Sequence, residues 1–133
     1  MSETLTVCGL TIERGTKLRT YLPVPDTNVK IPLTIINGEK DGPTLLITAG
    51  IHGGEYPGIA AAMELGRDIE PEHVTGCLIM MHPVNIQGFW ARREMIVPED
   101  GKNLNRVFPG DPTGTLADKT AYLISNNFFP IAD

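Results

Sequence analysis

Two uninterrupted apolar runs constrain this chain more than any other feature. They are "LLITAG" from Leu45 and "GCLIMMHPV" from Gly76, with one amphipathic segment, "YPGIAAAMELGRDI", between them. Apolar residues at consecutive positions suit a strand buried on both faces. In the middle segment, Pro57 fits the first turn of a helix. Ile59, Ala62, Met63 and Ile69 fall on one helical face. Strand, helix and strand within about forty residues form a parallel βαβ unit with a right-handed crossover. The expected fold class is therefore α/β.

The flanking sequence fills in the rest. "KIPLTIING" and "GPTLLITAG" read as strands joined by a turn rich in Gly, Asp and Lys. Residues 1–30 read as a strand and turn region, broken by "RGTK" and "LPVPDTN". After the second apolar run comes "NIQGFWARREMIVPEDGKNLNRVFPGDPTGT", a long polar loop rich in Gly and Pro, and loops of that length are usually functional. "LADKTAYLISNNFFPI" reads as a helix running toward another strand. The 133 residues, 41% of them hydrophobic, are expected to form one domain spanning 1–133.

Several classes of function are disfavoured. A net charge of -5 argues against nucleic acid as a partner. No stretch approaches the roughly 18 apolar residues of a membrane span. The start, "MSETLTVCGLT", lacks the basic and apolar regions of a signal peptide. Cys8 and Cys77 are far apart in sequence and read as small core residues of a reduced, cytoplasmic protein.

Sites in open α/β sheets lie beyond the carboxyl ends of the strands. His52 and Glu55 stand at one such end, in the corner "AGIHGGEYPG". Zinc accepts imidazole nitrogen and carboxylate oxygen, and catalytic sites use three protein ligands and a water. The glycines let the backbone turn so that both side chains point to one spot. The alternative is a plain turn with a surface glutamate. His82 ends the second strand and could reach the same edge, but reads better as a satisfied strand-end histidine. His73 reads as a solvated loop residue. In "GKNLNRVFPGD", Arg106 offers a rigid fork for a carboxylate and Asn105 a directional donor and acceptor. Either they recognise a substrate carboxylate, or Arg106 pairs with a structural acid such as Asp100 or Asp111. Arg92 or Arg93 could clamp a substrate or stabilise an oxyanion. Phe89 and Trp90 read as packing residues of the loop.

Together, "AGIHGGEYPG" and "GKNLNRVFPGD", about fifty residues apart with a βαβ unit between them, resemble the succinylglutamate desuccinylase/aspartoacylase family, relatives of the zinc carboxypeptidases. "PVNIQGF" resembles the segment that such enzymes carry after the second strand. The match covers roughly Lys30 to Asp133. The resemblance implies a zinc-carboxypeptidase-like fold, with a mixed, largely parallel sheet flanked by helices. It implies one zinc ion, with His52 and Glu55 as its first two ligands. It makes Asn105 and Arg106 the pair that binds the substrate's carboxylate, and Arg92 or Arg93 a second arginine of the site. The implied reaction is hydrolysis of an amide in a small N-acyl amino acid or related compound. The metal polarises the carbonyl and activates water, and a glutamate serves as general base.

The resemblance also places the third zinc ligand, a histidine, and the general-base glutamate beyond Asp133. On that reading the fold is incomplete at its C-terminus and the 133-residue chain alone has negligible activity. Two other readings compete: a metallocarboxypeptidase, and a non-catalytic carboxylate-binding module. The oligomeric state has no sequence signal.

Overall fold

The computed structural model describes residues 4–133; Met1, Ser2 and Glu3, the start of the segment read as lacking a signal peptide, lie outside the described residues. The strands are β1 (Thr4–Val7), β2 (Leu10–Glu13), β3 (Thr16–Pro23), β4 (Lys30–Asn37), β5 (Lys40–Thr48) and β6 (Thr75–Met81). The helices are α1 (Tyr56–Asp68), α2 (Ile86–Trp90) and α3 (Leu116–Asn127). β1 and β2 form a small antiparallel ribbon, and the other four strands form one sheet in the order β3-β4-β6-β5.

The expected βαβ unit is present. β5 and β6 pair in parallel, with Thr44 opposite Cys77 and Thr48 opposite Met81, and α1 connects them. The sheet is mixed, as anticipated. Its parallel share in this chain is that one pair, because β3–β4 and β4–β6 are antiparallel. β4 and β5 are consecutive, yet β6 lies between them. Gly38 makes the close passage possible: its N–H donates to Gly76 O at 2.8 Å, and a Cβ there would collide with the Val74 carbonyl.

β6 follows the expectation for a strand covered on both faces, and residues 76–81 are all buried. Its side chains alternate between two cores. Cys77, Ile79 and Met81 join Leu33 and Ile35 of β4 in the larger core, beneath Leu116, Ala117, Ala121 and Ile124 of α3. Leu78 and Met80 join Ile36 on the opposite face. β5 departs from the expectation. It lies at the edge of the sheet, none of its residues is buried, and Leu45 is 59% exposed. The last residue meets this edge: the Asp133 N–H donates to Thr44 O at 2.9 Å, and Asp133 Oδ2 accepts from the Thr44 N–H at 2.9 Å.

α1 buries Ile59, Ala62 and Gly66, an i, i+3, i+7 stripe. Met63 stands off that stripe and is 47% exposed, so its expected place in the core is corrected. Ile69 packs against the second core from beyond the helix end. At Gly66 the helix comes so close to β4 that an added Cβ would meet Thr34 Oγ1 at 2.9 Å. Lys17 of β3 closes the far end of α1. Its ammonium donates to the carbonyls of Gly66, Arg67 and Ile69 and to Glu70 Oε1, at 2.8–3.2 Å. Those carbonyls include groups that a helix C-terminus leaves unpaired.

Candidate active site

β5 delivers the chain to Gly50, where φ is +71° and a Cβ would lie 2.5 Å from Pro83 Cβ. The turn is tied across to the end of β6: Val84 N–H donates to Ala49 O and Asn85 N–H to Gly50 O, both at 2.9 Å. Gly53 faces the backbone of α2, and a Cβ there would collide with Phe89 N. The Gly54 N–H donates to Glu94 O at 3.2 Å, which holds the long loop against the corner.

On this frame His52 and Glu55 converge. His52 Nδ1 lies 3.4 Å from Glu55 Oε1. The His52 side chain is mostly covered, whereas Glu55 is open to solvent. The other imidazole nitrogen, Nε2, lies 2.9 Å from Asn103 Oδ1. Asn103 also accepts the Asn105 backbone N–H at 3.0 Å and starts the 3-10 turn Leu104–Arg106. The two motifs, distant in sequence, thus meet through Asn103. Nothing in the sequence reading singled this residue out; an asparagine opening a turn is a familiar Asx signal, but says nothing of a distant histidine.

Leu104 is fully buried and anchors that turn, leaving Asn105 and Arg106 exposed on either side. Arg106 pairs with neither structural acid considered for it. Asp100 accepts the backbone N–H groups of Lys102 and Ala117, and Asp111 accepts the backbone N–H and the hydroxyl of Thr113. Among the described residues, no carboxylate lies within ion-pair distance of Arg106. Arg92, at φ +56°, lines a cleft with Tyr56, Phe89 and Trp90. The Arg93 N–H donates to Gly88 O at 2.9 Å, and its side chain is exposed. Phe89 packs edge-on against Tyr56 and Trp90, while Trp90 is itself 75% exposed.

The other polar groups at this edge are structural. His82 turns away from the corner, and its Nε2 lies 2.8 Å from Thr34 Oγ1 in a buried contact. Burial pushes its pKa below the usual histidine value. Asn85 caps α2 through Gly88 N–H and donates to Ile96 O, pinning the loop. His73 is exposed and its Nδ1 accepts the Glu70 N–H. Cys8 and Cys77 are free thiols, and burial pushes Cys77 up to about 11. Among the described residues, no three His, Cys, Asp or Glu side chains cluster in a metal-holding arrangement, and no helix is long and apolar enough to cross a membrane.

A family model described as "Succinylglutamate desuccinylase/Aspartoacylase catalytic domain" matches residues 41–132. The chain belongs to that family. It is 40% identical over 120 residues to the N-alpha-acetyl-L-2,4-diaminobutyric acid deacetylase of Halomonas elongata, covering 85% of this chain and 34% of that protein. Among solved structures, it resembles a succinylglutamate desuccinylase/aspartoacylase from Rhodobacter sphaeroides (TM-score 0.83, 34% identity, 99% of this chain and 41% of that one). It also resembles the product-bound ectoine utilization protein EutE (DoeB) from Ruegeria pomeroyi (TM-score 0.83, 38% identity, 90% and 38%). The chain therefore spans about a third of its curated relative and about two-fifths of these structures. The family's named members are deacylating hydrolases, and the mixed sheet with flanking helices is theirs as well.

Proposed function

We propose that this chain carries part of the zinc centre and the carboxylate anchor of an enzyme that hydrolyses the amide of an N-acyl amino acid. One observation carries the reading: His52 Nδ1 and Glu55 Oε1 lie 3.4 Å apart. Two donors held about 2.1 Å from a tetrahedral zinc stand about 3.4 Å apart, so the pair already has the spacing of one edge of such a site. An imidazole nitrogen and a carboxylate oxygen are also a suitable donor set. When bound there, zinc supplies Lewis-acid polarisation of the scissile carbonyl and activation of water at neutral pH.

The chain's own groups do the binding. Arg106 and Asn105 take the substrate's carboxylate, and Arg92 or Arg93 adds a second positive group. The name of the Halomonas relative supports an N-acetylated amino acid as the substrate. The third ligand and the general base belong to residues outside 1–133, so the chain alone is expected to be inactive. The free thiols Cys8 and Cys77 agree with a cytoplasmic location.

Zinc titration followed by calorimetry tests the centre. His52→Ala and Glu55→Gln should each abolish saturable uptake, while His82→Ala leaves it in place. Uptake that ignores the first two variants, or that His82→Ala removes, overturns the reading. Hydrolysis of an N-acetyl amino acid by the 133-residue chain above the buffer rate overturns the assignment of the base.

A further inference from the structure

The hydrogen-bond chain around Asn103 fixes more than the position of its turn. A backbone N–H can only donate, so the Asn103 atom 3.0 Å from the Asn105 nitrogen is the carbonyl oxygen Oδ1. The same oxygen lies 2.9 Å from His52 Nε2. An oxygen that only accepts requires the imidazole to donate, so Nε2 carries the hydrogen. In the neutral ring Nδ1 then has no hydrogen and keeps a free lone pair, and Glu55 Oε1 lies 3.4 Å from it. Two electron-rich acceptors at that distance can share a cation lying off the line that joins them, as along one edge of a tetrahedral site.

We propose that Asn103 is a positioning residue for the metal corner: it holds His52 in the tautomer and ring orientation that aim Nδ1 at the point shared with Glu55. The role rests on the proposed zinc reading for its purpose, but the tautomer is a property of the metal-free chain. The partner is a neutral amide. It orients the ring as a carboxylate would, but adds no charge to make the imidazole a stronger ligand. Asn103→Asp keeps the acceptor and adds that charge. Asn103→Ser keeps an oxygen able to cap the turn beginning at Leu104, but is too short to reach His52.

The chain has only three histidines, so nitrogen-15 NMR of the ring nitrogens at pH 8.5, without metal, resolves His52 directly. The wild type should show the Nε2–H tautomer at His52. Asn103→Asp should retain it, and Asn103→Ser should give a mixture with the turn intact. Zinc added to the same samples should shift the His52 signals at a concentration about 10- to 100-fold higher in Asn103→Ser than in wild type, and at an equal or lower concentration in Asn103→Asp. A wild-type Nδ1–H tautomer, or an unchanged tautomer in Asn103→Ser, overturns the proposal. If no variant responds to zinc, the metal reading fails and the tautomer result still decides the role of Asn103.

Discussion

Replacing Gly50 by Ala tests whether the corner is built as described. At φ +71° an alanine pays the left-handed penalty of about 1–2 kcal/mol. The new methyl also lies 2.5 Å from Pro83 Cβ and 2.8 Å from Ile59 Cγ1. Neither neighbour yields easily, since Pro83 is a buried ring and Ile59 lies on the buried stripe of α1. Overpacking of that kind costs about 1–3 kcal/mol, for a sum of about 2–5 kcal/mol. A domain of this size has about 5–15 kcal/mol to lose. With a urea slope of about 1–3 kcal/mol per molar, the midpoint should fall by roughly 1–3 M. Gly58→Ala is the control. It adds a methyl to an exposed helical position with nothing within 4 Å, so it should raise stability by about 0.4–1 kcal/mol. Should Gly50→Ala prove too unstable to measure, the same change in the Gly58→Ala background restores a usable baseline. A loss below about 0.5 kcal/mol would refute the reasoning, because the left-handed term alone exceeds it.

The remaining predictions concern charge. His82 is held below its ordinary pKa by burial, so the unfolded chain binds its proton more readily. Its share of stability is complete above the unfolded value near about 6.5 and is lost as pH falls from there toward the folded value. Urea midpoints should therefore decline from pH 8 to pH 5, and His82→Gln should show a smaller decline; equal slopes would count against it. Lys17→Met removes an ammonium shared by three carbonyls and Glu70, and should cost about 1–3 kcal/mol with fraying of the last turn of α1, read by amide exchange. Arg106→Ala should weaken acetate-type carboxylate binding by about 10-fold or more, measured by NMR titration, with the urea midpoint unchanged. A large loss of stability there would make Arg106 structural instead.

The fold was legible where burial is dictated by neighbours in sequence. β6 lies between β4 and β5 with an apolar core on each face, and its consecutive apolar residues announced that. β5 has the same pattern but sits at the sheet edge, because an apolar run records what a strand is suited to and not which neighbour covers it. Met63 failed for a related reason. On α1 the stripe that touches β4 is set by Gly66, where the helix comes closest, and this rotates Met63 off the contact. Hydrophobicity alone would have placed the methionine inside and the glycine outside.

The site was legible in its residue types and not in its connections. A histidine and a carboxylate three apart are a weak signal in sequence; the structure adds that the two side chains approach to 3.4 Å. What orients the histidine comes from about fifty residues downstream, through one asparagine amide bonded to both a ring nitrogen and a backbone N–H. Local spacing cannot reveal such a link, since it depends on how the long loop returns to the sheet edge. That return is itself held by polar side chains. Asn85 pins the loop at Ile96, and Asp100 ties it to the start of α3 at Ala117. A polar residue at the carboxyl edge of a sheet is therefore ambiguous until its partners are known. Where backbone groups consume its hydrogen-bonding capacity, as with Asn85 and Asp100, it builds the site. Where an exposed side chain has no ion-pair partner among the described residues, as with Arg106, it is available to a ligand.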